Sequence, residues 1–170
     1  GKHDMALVTA DVNYGGSTYC GTRHDVGVVG AAPALALVGD TIFLVTLDST
    51  MNEVSIRTYL GGEKWSEPRA VPHSATNFDP VAVGGKERGC VFLRRATGWA
   101  VARFDAAKID EPVAIPDRVG VAGCDLSAIE IWGSVLVVNR HDDGTIATRW
   151  IRWVASGCEG EEGPKLDFTS

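Results

Sequence analysis

Residues 67–72 read EPRAVP and residues 111–116 read EPVAIP. Four of the six positions are identical, and a fifth sets Val71 against Ile115. The second copy begins 44 residues after the first, at Glu111 against Glu67. Pro, Ala and Val are common residues, so the phrase carries weight only if its surroundings repeat as well.

They do. TIFLVTL (41–47) is a continuous apolar run, as expected of a strand covered on both faces. EVSIRTYL (53–60) alternates instead, with Val54, Ile56, Thr58 and Leu60 on one face, and DSTMN (48–52) reads as the turn between the two. GCVFLRR (89–95) and WAVARFD (99–105) repeat that arrangement around Ala96-Thr97-Gly98. SVLVVNR (134–140) and TIATRWIRWV (145–154) repeat it around HDDG (141–144), whose Asp143-Gly144 is a strong hairpin signal. A shorter apolar stretch precedes each pair: APALALVGD (32–40), FDPVAVGGK (78–86) and CDLSAIEIWG (124–133).

The unit is therefore a short strand, a long strand, an alternating strand and a closing strand carrying the hexapeptide. Units are expected over about 32–72, 77–116 and 123–166, within a single β domain over 1–170. In the third unit GPKLDF (163–168) stands in for the hexapeptide. MALVTADV (5–12) and STYCGTR (17–23), joined through NYGG, make 5–30 a candidate partial blade. Four strands repeating every 40–50 residues predict an all-β, β-propeller-like fold of three to four antiparallel blades. A small twisted sheet cannot bury both its faces alone, whereas radial stacking covers each face with a neighbour. Prolines at both ends of the closing phrase suit an outermost strand. A β-sandwich is the rival fold, since many short strands suit it too.

Composition narrows the function classes. The 170 residues are 45% hydrophobic and 22% charged, enough for one core. A net charge of −6 and a pI near 5.1 remove the electrostatic case for nucleic acid. No apolar run approaches the roughly 20 residues of a membrane-spanning helix, so membrane insertion is not expected. GKHDMALVTADV (1–12) lacks a basic-then-apolar leader pattern. Cys20, Cys90, Cys124 and Cys158 form no CxxC pair. They permit two disulfides, which would indicate an extracellular or cell-surface chain, or four buried thiols, which would suit a cytoplasmic one.

APALALVGDTIFLVTLD (32–48) and IRTYLGGEKWSEPRAVP (56–72) resemble a blade of the sialidase-like and lectin-like β-propellers, through Pro33, Ala34, Leu35, Gly39, Trp65, Ser66, Pro68 and Pro72. The resemblance covers 32–116 well and 123–154 loosely. It implies a recognition domain, with an aromatic at Trp65 placed between blades. RHDDGTIATRW (140–150) departs from the sialidase Asp-box: Ile146 stands where Thr is wanted. The arginine triad of those hydrolases is not assignable among Arg57, Arg94, Arg103 and Arg149. Were the chain a closed four-bladed ring, Cys20 and Cys158 would form a clasp similar to that of hemopexin-like propellers. Otherwise the chain belongs to a homo-oligomeric ring or to the remainder of a larger propeller.

The ligand-binding candidates are aromatic and charged. Trp65, Trp99, Trp132, Trp150 and Trp153 offer flat apolar faces for sugar C–H surfaces, against the competing role of packing between sheets. Trp150 and Trp153 are three apart and face opposite sides of a strand. GGEKWSEPR (61–69) brings Glu63, Glu67 and Arg69 beside Trp65, in a segment that also reads as a solvated loop. The selected site is Trp65, Glu63, Glu67, Arg69 and Trp99. RHDD (140–143) reads as a turn rather than a metal or acid–base cluster. DVNYGG (11–16) fails as a calcium loop because Thr22 stands at the twelfth position. His3, His24, His73 and His141 form no metal-binding spacing, and no nucleophile motif occurs. The expectation is a non-catalytic recognition domain without cofactor or metal, binding glycan between blades. A protein-interaction scaffold is the alternative, and a sialidase-like hydrolase fragment a third.

Overall fold

The computed structural model describes residues 3–12, 18–29, 32–48, 52–62, 64–76, 78–95, 98–115, 125–140, 146–154 and 157–164, with backbone only at 3–12, 18–29 and 125. The described chain is all β, and every strand pairing is antiparallel. β1 (His3–Val12) and β2 (Thr18–Val29) form a two-stranded sheet of their own. Blade one runs β3 (Ala34–Val38), β4 (Thr41–Leu47), β5 (Val54–Gly61), with β6 (Lys64–Trp65) and β7 (Arg69–Ala70) both on the outer side of β5. Blade two runs β8 (Val81–Val83), β9 (Gly89–Arg95), β10 (Gly98–Phe104), β11 (Val113–Ala114). Blade three runs β12 (Asp125–Ile131), β13 (Ser134–Arg140), β14 (Ile146–Val154), β15 (Gly157–Glu162). This is a β-propeller architecture, with separate modules of four or five strands standing side by side instead of the two broad layers of a sandwich.

The repeated hexapeptide is the outer strand. Arg69 and Ala70 pair with Ile56 and Ser55, and the Val71 N–H donates to the Val54 carbonyl at 2.8 Å. Val113 and Ala114 pair with Val101 and Ala100, and the Ile115 N–H donates to the Trp99 carbonyl at 2.8 Å. Val71 and Ile115, the conservative pair in the two phrases, are both buried. The phrase recurs because the same short strand must close each sheet and drop one aliphatic side chain inward.

Blade two shows why these strands are so apolar. Its side chains alternate between two cores, as the strand period of two requires. Val91, Leu93, Ala102 and Phe104 pack against blade one, where Ala36, Phe43, Val45, Leu47, Val54 and Ile56 meet them. Cys90, Phe92, Trp99 and Val101 pack the other way, against Leu126, Val135, Val137 and Ile151 of blade three. Fully burying one such Phe or Leu contributes about 1.5–3 kcal/mol. The inner strands approach closely: a Cβ on Gly84 would lie 1.8 Å from the Leu37 carbonyl oxygen, so only glycine fits there. Beside it, the Gly39 N–H donates to the Gly85 carbonyl at 3.0 Å and joins the rims of blades one and two.

Candidate functional site

The turns from first to second strand lie at one rim of the stack. They are Gly39-Asp40 in blade one, 84–88 in blade two and Trp132-Gly133 in blade three. Register fixes which residues are equivalent. In blade one Ala36 pairs with Phe43, and Phe43 with Thr58. In blade two Val83 pairs with Cys90, and Cys90 with Arg103. Phe43 and Cys90 thus hold the same place, as do Thr58 and Arg103.

Between blades one and two, Phe43 meets Phe104 edge-on, with ring centroids 5.3 Å apart and planes at 66°. Gly89 makes room for that ring, since a Cβ there would approach Phe104 to 2.4 Å. The aromatic pair narrows the cleft, and a cavity of about 380 Å³ lies above it.

Between blades two and three the small Cys90 leaves that space open. A cavity of about 500 Å³ results, within the range of small-molecule sites. Arg88, Cys90 and Arg103 line it from blade two, and Glu130, Trp132 and Trp153 from blade three. The Arg103 guanidinium lies over the Trp153 ring, 4.7 Å from its centroid, a cation–π geometry. Asp110 anchors the arginines, with its Oδ2 3.0 Å from Arg88 Nη1 and 3.7 Å from Arg103 Nε. Asp105 Oδ2 stands 3.6 Å from Arg88 Nε. A hydrogen bond from Lys108 holds the Asp110 carboxyl below the usual carboxylate range, and the Lys108, Arg88 and Arg103 charges add to it against partial burial. Asp105 is lowered too, chiefly because the Lys108 N–H donates to it, with the Ala107 N–H assisting.

Trp132 stands at the rim with 98% of its surface exposed. Its φ is +53° and that of Gly133 is +82°. Two consecutive positive φ values in a two-residue hairpin turn call for Asn-Gly or Gly-Gly, and a bulky L-residue there is strained by about 1–2 kcal/mol. The Glu130 carboxylate accepts from the Gly133 N–H and steadies the turn. A large aromatic kept in a strained and exposed position beside a cavity is a functional signal. Cys90, by contrast, is held as an unreactive thiol, its pKa pushed up to about 12 by burial.

Of the five residues selected from sequence, the four that are described do not converge. Trp65 packs on Tyr59, with ring centroids 5.2 Å apart, at the outer edge of blade one. Glu67 is exposed beside it, and Glu63 lies outside the described residues. Arg69 Nη2 donates to the Asp105 carbonyl at 2.7 Å, tying the outer strand of blade one to blade two. Trp99 is 5% exposed, inside the core between blades two and three. Of the other tryptophans considered, Trp132 and Trp153 line the cavity, while Trp150 pairs with Leu136 on the opposite face of blade three.

The cysteine expectation needs correction. Cys90 and Cys158 are free thiols, so the Cys20–Cys158 clasp is not formed. Cys158 packs into the core between blades two and three, its Sγ 4.0 Å from the Ala114 carbonyl, because β15 lies against the outer edge of blade two. The side chain of Cys20 and all of Cys124 lie outside the described residues, as do 13–16, 141–145 and 165–170, which hold the NYGG, HDD and LDF readings. Among the described residues no cluster of His, Cys, Asp or Glu is arranged to hold a metal ion. Among them, too, no helix is long and apolar enough to cross a membrane.

No protein-family model and no curated protein matches the sequence. Among solved structures, the chain is similar to the fungal lectin of Aleuria aurantia, described as a six-bladed β-propeller with a novel fucose recognition mode. The TM-score is 0.65 at 10% sequence identity, over 92% of this chain and 51% of that one. The chain therefore spans about half the length of that protein, and at this identity the likeness is one of fold alone, a β-propeller architecture.

Proposed function

We propose that the cleft between blades two and three binds a carbohydrate, and that the protein recognises glycans without transforming them. The observation that carries this reading is the cavity of about 500 Å³ in which Trp132 and Trp153 stand beside Arg88, Arg103 and Glu130. A sugar ring offers apolar C–H patches on its faces and hydroxyls around its edge. Indole faces match the first, and charged donors and acceptors match the second. Asp105 and Asp110 are committed to holding the arginines, which favours a preformed binding surface over acid–base chemistry. A glycan-binding role would be exercised at the cell surface or outside the cell.

The fungal lectin's description makes fucose the first ligand to test, followed by a broad glycan panel. Calorimetric titration is expected to give saturable binding. Trp132→Ala, an exposed change that leaves the core intact, is expected to weaken it at least about tenfold, or ~1.4 kcal/mol. Trp65→Ala is expected to leave it unchanged. A silent panel, or full binding by the Trp132→Ala protein, overturns the reading. The protein-contact alternative draws on the same exposed Trp132, and a silent panel with a captured polypeptide that Trp132→Ala releases would establish it.

A further inference from the structure

The charges on the blade-two wall of the cavity do not cancel. Arg88, Arg103 and Lys108 bring three positive charges to Asp105 and Asp110, which bring two negative ones. Lys108 Nζ is on Asp110 Oδ1. Arg88 donates from Nη1 to Asp110 Oδ2 at 3.0 Å and faces Asp105 Oδ2 with its Nε at 3.6 Å. Arg103 is left with its Nε 3.7 Å from Asp110 Oδ2, longer than a hydrogen bond. Its Nη1 and Nη2 donate to no protein group among the described residues. Trp153 holds the guanidinium at the cavity wall, with Cζ 4.7 Å from the ring centroid. The other charged lining residues do not quench it. Lys86 and Glu87 are exposed, adjacent and of opposite sign. Glu130 belongs to blade three, accepts from the Gly133 N–H, and forms no ion pair with Arg103. The Cys90 thiol senses both, Arg103 lowering its pKa and Glu130 raising it. The cavity thus has a positive wall on blade two and an acceptor wall on blade three.

We infer that the sugar bound in this cleft carries a carboxylate, as a hexuronate does, and that Arg103 is the residue that selects it. The inference rests on the carbohydrate reading of the cleft given above and narrows it to one class of sugar. A planar carboxylate accepts two parallel hydrogen bonds from the paired N–H groups of a guanidinium, a match that a single hydroxyl does not offer. It also brings a third negative charge to a cluster that holds three positive ones. The rest of a uronate ring suits the remaining walls. Its C–H face meets an indole of Trp132 or Trp153, and hydroxyls away from the carboxylate donate to Glu130. A cavity of about 500 Å³ accommodates such a ring.

Calorimetric titration of the 170-residue chain with matched sugars tests this directly. The pairs are D-galacturonate with D-galactose and D-glucuronate with D-glucose, which differ only in carrying a carboxylate or a hydroxymethyl group on the ring. At least one uronate is expected to bind about tenfold more tightly than its neutral parent, the effect of hydrogen bonds to a charged group. Arg103→Gln is expected to bring that uronate to within about twofold of its parent. Trp132→Ala is expected to weaken both members of the pair alike, because it removes stacking and not charge. Uronates that bind no more tightly than neutral sugars, or a preference that Arg103→Gln retains, overturn the assignment and leave the cleft reading standing. Silence from all four sugars and from the whole glycan panel overturns both. Circular dichroism shows whether Arg103→Gln is folded, and Arg103→Lys replaces it if not. That variant keeps the charge and loses the two-pronged donor, so the preference is expected to fall at least about threefold while the parent's affinity holds. A preference undiminished in Arg103→Lys overturns the assignment as well.

Discussion

At one place in the frame, blade one carries Phe43 opposite Thr58, and blade two carries Cys90 opposite Arg103. The backbones are the same and the pairings are in register, yet the outcomes diverge. Phe43 reaches across to Phe104 and narrows the cleft between blades one and two, leaving about 380 Å³ above the rings. Cys90 is too short to cross the cleft as Phe43 does, Arg103 turns to Trp153, and a cavity lies between blades two and three. The architecture asks only that inward positions be apolar and of roughly fitting volume. Which clefts hold a ligand is decided by one large or small residue on the second strand and by what its cross-strand partner can offer. Fold and binding are thus encoded at different positions of the same repeat, which is why a shared architecture does not by itself assign a shared ligand.

The largest effect is expected from removing the aromatic contact between blades one and two. Phe104→Ala removes a ring that is 1% exposed and the partner of Phe43, and should destabilise the protein by about 3–5 kcal/mol in urea unfolding. A loss below about 1 kcal/mol would mean that the Phe43–Phe104 contact does not hold blades one and two together. Next comes the converse change, Cys90→Phe, which gives blade two the residue of blade one. It should fill the open cavity, weaken glycan binding by at least about tenfold, or ~1.4 kcal/mol, and leave the protein folded. Unchanged binding would dissociate the cavity from the ligand.

A smaller effect is expected at the rim. Trp132→Asn places a residue tolerant of positive φ in the strained turn and should raise stability by about 0.5–1 kcal/mol, while binding weakens. That opposition is the signature of strain kept for function, and a variant that loses stability would refute it. The smallest effect concerns acid. The Asp110 carboxyl is lowered from its ordinary value of 3.8 in the folded protein. Its stabilising contribution is complete above that value and is lost as pH falls below it through the folded pKa. Asp110→Asn should therefore flatten the acid limb of the stability profile below about pH 4, with little change in slope above it.

Much of the fold was legible because it rests on local signals repeated in tandem. The hairpins at 41–60, 89–105 and 134–154 announce themselves by an apolar run, a turn and a second run, and the hexapeptide marks the closing strand. Even the two-sided burial of TIFLVTL is visible, since a strand without a polar face has no solvent side: Phe43, Val45 and Leu47 point one way, Leu44 and Thr46 the other, and all are buried. The cavity was not legible in the same way. Arg103 and Trp153 are 50 positions apart in the chain. They meet only because two sheets stack, and no spacing rule within one unit reports on its neighbour. Trp65 stands out in the sequence by its polar company, but it packs on Tyr59 at the outer edge of blade one, and Arg69 is spent on the Asp105 carbonyl of blade two. Trp99 and Trp153 are both tryptophans near hairpin ends, and what separates core from cavity is the volume of the residues across the interface. The one local clue was Trp132-Gly133, a two-residue turn between apolar runs with an aromatic where Asn belongs.

The 84–88 segment is a party wall. Lys86 and Glu87 border the chamber on one side of blade two and the chamber on the other. A change of size or charge at either residue is therefore felt in both, and neither chamber can be retuned through that wall in isolation. In a stack of this kind a neighbouring pair of recesses must diversify from the residues each holds alone, such as Trp153 on one side and Thr41 on the other, while the shared partition is left nearly as it is.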